Sequence, residues 1–176
     1  AKIIGVNTLL KKKWEEVAYP AQVIEIEDHQ YVYRYRSMVR SNGYEMEEES
    51  PLAMIYTGGT TGKPKGAVLS HRTMLWNALN TAITWNVTKN DVTLTCLPMF
   101  HTGGINVFSL PLLLLGGKVV LSSNFHPEKA VEYLIKYKCT VVLFVPTMYQ
   151  KIIQTKQFQE AAFPHIRFFI SGGAPC

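Results

Sequence analysis

Apolar residues in this chain come in short runs, and the spacing within the runs switches between strand-like and helix-like. Ile3–Val6 predicts a buried strand. The spacing from Leu9 to Val17 predicts a short helix that is basic at its start. Glu15 and Glu16 sit near its end, a charge order that opposes the helix dipole. Ala21–Glu27 roughly alternates apolar with polar or acidic residues, the period of a strand. Tyr31–Arg36 mixes aromatic and basic residues and reads either as a further strand or as an exposed connection. Residues 41–50 are polar and acidic. Residues 1–50 therefore read as the end of one subdomain plus a linker, and residues 51–176 as part of a second.

The second part has a clearer rhythm. Leu52–Tyr56 and Ala67–Leu69 are apolar runs around a glycine-rich segment and predict strand–loop–strand. Ser70 is placed to N-cap a helix to about Asn86, with Leu75, Leu79, Ala82 and Ile83 as its apolar face. Asp91–Leu97 predicts a strand. Ile105–Leu115 is long and apolar, a helix despite Pro111 or else a buried strand. Lys118–Leu121 predicts a short strand. Pro127 opens a helix to about Lys138 that buries Val131, Leu134 and Ile135. Thr140–Val145 is a strand, Pro146–Gln154 a helix and Arg167–Ile170 a last strand. Strands alternating with helices at this spacing predict an α/β fold, a mostly parallel sheet with flanking helices. In such sheets ligands bind beyond the carboxyl ends of the strands. The loops 98–104 and 171–176 follow strand ends, so both are expected at one edge, with the glycine-rich loop folded over it.

That loop changes the picture from fold to chemistry. In Met54–His71 (MIYTGGTTGKPKGAVLSH), glycines permit positive φ and let backbone N–H groups approach a ligand. Thr57, Thr60 and Thr61 add hydroxyls, and Lys63 and Lys65 add positive charge. Such a set suits a polyanion, above all a nucleoside triphosphate. It is not a Walker A loop, because Gly62-Lys63 is followed by Pro64, and it does not fit G-x-G-x-x-G.

Composition narrows the classes. With 176 residues, 47% hydrophobic and 18% charged, the chain can bury a sizeable core. A net charge of +5 suits an anionic substrate, but no extended basic stripe points to nucleic acid. Lys11-Lys12-Lys13 is expected to face solvent. The cysteines, Cys96, Cys139 and Cys176, have neither metal nor redox spacing, which suggests a reducing, cytoplasmic setting. The five histidines are scattered and draw no metal site. No signal peptide is evident. The run Val107–Leu115 is too short to span a bilayer, so any membrane contact is expected to be peripheral. Ser70-His71 is poor geometry for a nucleophile–base pair, and no G-x-S-x-G elbow occurs, which excludes a serine hydrolase of that type. The chain begins in a strand-like run without Met and stops in a loop, so it reads as a piece of a longer protein.

Tyr56-Thr57-Gly58-Gly59-Thr60-Thr61-Gly62-Lys63-Pro64-Lys65-Gly66 resembles the signature loop of the adenylate-forming enzymes: acyl-CoA synthetases, luciferases and peptide-synthetase adenylation domains. The usual family loop has Ser where this chain has Gly58. Two further segments resemble family motifs in the correct order. Leu97-Pro98-Met99-Phe100-His101-Thr102-Gly103-Gly104 is similar to the motif beside the acyl substrate and pantetheine channel, and Ile170-Ser171-Gly172-Gly173-Ala174-Pro175 to the motif lining the adenine and acyl pocket.

The resemblance implies a partial large domain of an ATP-dependent carboxylate–CoA ligase, similar to fatty-acid–CoA ligases. The substrates would be a small carboxylic acid, ATP with Mg²⁺, and CoA. It implies that Thr57, Gly58, Gly59, Thr60, Thr61, Gly62 and Gly66 bind nucleotide, with Thr60, Thr61 and Lys65 on the β- and γ-phosphates. Lys63 either joins them or is solvated. His101 is implied as a pocket or gating residue, and Gly172, Gly173, Ala174 and Pro175 as part of the adenine pocket. The family's Tyr-Gly-x-Thr-Glu motif, whose Glu helps hold Mg²⁺, does not occur, nor do its ribose-binding Asp and catalytic lysine domain. The chain is therefore expected to be an incomplete, inactive piece that self-associates. Two other readings stay open: a non-catalytic nucleotide-binding module or degenerate paralogue, hinted at by Gly58, and an amino-acid-activating adenylation domain.

Overall fold

A computed structural model describes residues 3–6, 11–16, 22–25, 47–58 and 62–175. The chain divides into two compact units, residues 1–45 and 46–176. In the first, β1 (Ile3–Val6) pairs in parallel with β2 (Gln22–Glu25), and α1 (Lys11–Glu15) lies between them in sequence. Lys12, Lys13, Glu15 and Glu16 are exposed, so this charged segment meets water. Tyr31–Arg36 lies outside the described residues.

The second unit opens with an antiparallel hairpin of β3 (Pro51–Thr57) and β4 (Lys65–Ser70), whose last pair is Thr57 with Lys65. This is the expected strand–loop–strand. The hairpin runs straight into α2 (His71–Thr84), where the Ser70 hydroxyl accepts from the Thr73 N–H at 3.2 Å and so caps the helix.

After α2 the chain forms a four-stranded, wholly parallel sheet. Its strands are β5 (Val92–Thr95), β6 (Lys118–Leu121), β7 (Val141–Phe144) and β8 (Phe168–Ser171), in the order β6-β5-β7-β8. Between them run α3 (Thr102–Ile105), α4 (Ser109–Leu115), α5 (Pro127–Lys136), α6 (Pro146–Ile153) and α7 (Lys156–Glu160). Strand β7 shows how the layers form. Val142 and Phe144 join one core with Leu94, Ala130, Val131, Leu134, Met148 and Ile152, under α5 and α6. Val141 and Leu143 point the other way, to Val87, Phe108 and Leu112. A strand buried on both faces reads as an unbroken apolar run, and Val141–Val145 is one.

Three expectations need correction. The predicted face of α2 was Leu75, Leu79, Ala82 and Ile83, but Met74, Ala78 and Ala82 are buried while Leu75 and Ile83 are exposed. Two apolar rows stand side by side on this helix, and the row with the small alanines turns inward. In α5, Ala130, Val131 and Leu134 are buried, while Ile135 is 48% exposed. The run Ile105–Leu115 divides into the end of α3 and all of α4. Pro111 is the third residue of α4, where its missing N–H has no helical partner to lose. The Ser109 hydroxyl holds the break, donating to the Gly104 carbonyl at 2.6 Å and lying 2.9 Å from the Thr95 hydroxyl. Helix α7 was not anticipated. Its mark is Thr155, whose hydroxyl accepts from the Phe158 N–H.

At the amino ends of the strands, Asp91 ties the sheet together. Its carboxylate accepts from the Thr140 hydroxyl at 2.7 Å, the Thr88 N–H at 2.8 Å and the Arg167 guanidinium at 2.7 Å. Burial raises the carboxyl's pKa, but Thr140, Arg167 and Thr88 together hold it below its usual value. Arg167 also donates to the carbonyls of Trp85 and Asn86, joining the end of α2 to the start of β8.

Candidate active site

The opposite, carboxyl end of the sheet carries the cavity. Strand β5 runs out at Thr95, and the chain turns through Leu97–Gly104 into α3. The turn is tight: a Cβ on Gly104 would collide with the Pro98 carbonyl oxygen. His101 caps α3, its Nδ1 accepting from the Gly103 N–H at 3.1 Å. The neutral ring then carries its proton on Nε2, which faces away from that bond. Two strands along, β8 ends at Ser171 and the chain turns through Gly172 and Gly173, the latter at φ +86°. The Tyr149 hydroxyl donates to the Ile170 carbonyl at 2.7 Å and pins this end. Burial pushes that phenol up to about 12, so it stays a neutral donor.

These two turns meet around a cavity of 360 Å³. Its wall combines Pro98, His101, Thr102 and Gly103 from the first turn with Gly172 and Gly173 from the second. Leu97, Val107, Leu143, Val145 and Ile170 make it apolar, and among the described residues no carboxylate lines it. Loop 98–104 and the 172–173 turn thus share one edge, as their positions after strands required. Among the apolar residues flanking His101, Val107 lines the cavity, Phe108 is buried in the core, and Phe100 is 81% exposed. Trp85 lines the cavity from the end of α2 and carried no signal in the sequence. Leu143 and Val145 were legible only as strand residues. Ala174 and Pro175 lie exposed beyond the turn.

The glycine-rich loop sits at the mouth of the β3–β4 hairpin. Thr57 and Lys65 face each other across it, and the Thr57 hydroxyl donates to the Lys65 carbonyl at 3.3 Å. Gly62 adopts φ +89°, a turn that disfavours any side chain. Thr57, Gly58, Gly62, Lys63, Lys65 and Gly66 are all exposed. Gly59, Thr60 and Thr61 lie outside the described residues. A Cβ on Gly58 would meet nothing within 4 Å, so the backbone does not exclude the family's Ser there. Hydroxyl and ammonium groups open to solvent fit a triphosphate. None of the described loop residues lines the 360 Å³ cavity.

Cys96 and Cys139 take no part. Burial pushes their thiols up to about 11 and about 12, with the Ser122 hydroxyl lowering the first and the neighbouring Cys96 raising the second. Neither is a thiolate nucleophile. Among the described residues, no group of three His, Cys, Asp or Glu side chains could hold a metal. Nor is any described helix long and apolar enough to cross a membrane.

The sequence pattern of the family described as "AMP-binding enzyme" matches residues 6–176. The chain belongs to that family. Among relatives of this AMP-binding chain, a feruloyl-CoA synthase from Amycolatopsis sp is 36% identical over 122 residues, covering 69% of this chain and 25% of that protein. A long-chain-fatty-acid–CoA ligase from Escherichia coli O6:H1 is 33% identical over 145 residues, 76% of this chain and 26% of that protein. The crystal structure of ATP-bound MatB from Rhodopseudomonas palustris superposes with a TM-score of 0.82 at 28% identity, over 99% of this chain and 35% of MatB. The inhibitor-bound N-terminal domain of FACL13 from Mycobacterium tuberculosis gives a TM-score of 0.82 at 27% identity, over 98% and 44%. The AMP-binding chain thus spans about a quarter of the length of the relatives it matches by sequence.

Proposed function

We propose that this chain is the phosphate- and acyl-binding portion of a longer ATP-dependent carboxylate–CoA ligase. The observation that carries the reading is the apolar cavity between His101 and Gly172-Gly173, beyond the carboxyl ends of parallel strands. An amino-acid-activating enzyme would want an acidic group for the substrate ammonium, and none of the described residues lining this cavity is acidic. The acid is therefore apolar beyond its carboxylate, of the fatty or aryl type named for the relatives.

In the first step the carboxylate oxygen attacks the α-phosphorus of ATP. The bond from that phosphorus to the β-bridging oxygen breaks, leaving an acyl-adenylate and pyrophosphate. Carboxylate and triphosphate repel one another, so fixed donors and cations must offset charge on the leaving pyrophosphate. Lys65, Thr60, Thr61 and the loop N–H groups would do so, and Thr57 holds the Lys65 strand in register through its hydrogen bond. Lys63 lies next along the same exposed loop. ATP would bring Mg²⁺ with it as part of the substrate. In the second step the sulfur of CoA attacks the acyl carbonyl, and AMP leaves. His101, with Nδ1 already engaged, would present Nε2–H where the acyl group meets the thiol channel. Gly172 and Gly173 would let the adenine lie against backbone.

The test is product identification. The longer ligase, given ATP, CoA and 3-phenylpropenoate or octanoate, is expected to release AMP and acyl-CoA in equal amounts by mass spectrometry. Release of ADP, or activation of amino acids alone, would refute the reading.

A further inference from the structure

Trp85 stands between two hollows. It lines the 360 Å³ cavity at the carboxyl edge, and with Phe168 and Ile170 it lines a second, of 440 Å³, on the same face of the sheet. Ile170 is the other residue common to both. Each is within the roughly 300–1,000 Å³ typical of small-molecule sites. Among the described residues, the second hollow is lined by these three apolar side chains and by no charged group.

The indole between them is held in place. Its ring centroid is 5.3 Å from that of Phe108, which is only 2% exposed, and 6.1 Å from Phe168 in an edge-on arrangement. Its main chain is held as well, with the N–H donating to the Thr81 carbonyl at 3.1 Å and the carbonyl accepting from Arg167 at 3.5 Å. Arg167 is anchored in turn on Asp91. A ring packed on a buried aromatic, with its backbone tied to an ion pair, is a fixed wall.

We infer that Trp85 sets how far the acid's tail extends along the sheet, closing the first cavity to long tails and offering its indole face to short or ring-ended ones. The inference rests on the ligase reading for what enters the cavity. When Trp85 is removed, the apolar end of the acid occupies the second hollow. A ring-ended acid gains aromatic contact with the indole, whereas a long unbranched tail has to pass it.

Two measurements test this. In the longer ligase, Trp85→Ala should raise the ratio of kcat/KM for dodecanoate over that for 3-phenylpropenoate by about tenfold or more, the scale at which apolar pockets discriminate by one or two methylenes. The change should fall mainly on KM, and Trp85→Phe should lie between. A ratio within twofold of the unchanged enzyme in both variants would overturn the inference. Should Trp85→Ala fail to fold, the conservative Trp85→Phe carries the same comparison. The second measurement needs no catalysis: the indole Nε1–H resonances of the 176-residue chain are followed by NMR during titration with 3-phenylpropenoate and with formate. A saturable shift confined to Trp85 and absent with formate supports the inference; no Trp85 shift up to solubility overturns it. A ligase that activates no carboxylate at all would overturn the ligase reading, while the NMR titration would still decide whether Trp85 meets the tail.

Discussion

Lys65 begins β4 directly opposite Thr57, so the hairpin fixes its backbone while the ammonium stays in water at the loop's mouth. On the proposed function, a cation there helps only while pyrophosphate is leaving. In the longer ligase, Lys65→Ala should therefore slow adenylate formation about 10²–10³-fold, the usual cost of one charge-stabilising donor, and spare thioester formation. Single-turnover measurement of each half-reaction checks this, and equal slowing of both would remove Lys65 from that role. Gly104 makes a structural prediction. Its missing side chain lets the chain pass the Pro98 carbonyl, so Gly104→Ala should destabilise the fold by about 1–3 kcal/mol, as overpacking does. Urea unfolding measures it, and an unchanged midpoint would contradict the geometry. His101, Gly172 and Gly173, which line the cavity, were legible in the sequence because they lie in contiguous motifs. Trp85, Leu143 and Val145 were not, because their place in the wall depends on which way a helix end and a strand face, and that is decided by packing across the sheet.

The elements show the same division. Strands β3 to β8 fall where the apolar runs lie, since a strand of this sheet needs only a short apolar run and a turn at each end. Helix rotation was harder to read. On α2 the rows 74/78/82 and 75/79/83 are both apolar and differ by one residue's turn, so the pattern alone leaves the buried row undecided. Asp91 immediately precedes β5 and carried no motif, yet Thr88, Thr140 and Arg167 all converge on its carboxylate. Their joint effect lowers its pKa. Stability from a lowered carboxyl pKa is present above the unfolded value of about 3.9 and is lost as pH falls through the folded one. The stability gap between the unchanged chain and Asp91→Asn should therefore be level from pH 7 to 5 and shrink below about pH 4. Unfolding free energies across that range are the check, and a gap that widened in acid would contradict the assignment.

Across the whole molecule, apolar surface is left uncovered. Leu52, Met54 and Tyr56 stand on one face of β3 with Val68 across from Met54, and each is between 47% and 67% exposed. Such a stripe favours association, so the 176-residue chain should sediment as more than a monomer, and Leu52→Lys with Met54→Lys should shift it toward monomer. A monomer at high concentration would contradict that. The second unit holds both the glycine-rich hairpin and the apolar cavity, but transition-state stabilisation depends on groups acting together. The central claim is that this chain holds the binding half of a carboxylate-activating site. Pyrophosphate–ATP exchange, run with a panel of carboxylic and amino acids on the 176-residue chain and on the longer ligase, tests it most directly. Exchange is expected from the longer protein with apolar carboxylic acids, and none above background from the chain alone. Exchange by the chain at a rate near that of the longer protein, or exchange driven by amino acids, would contradict it.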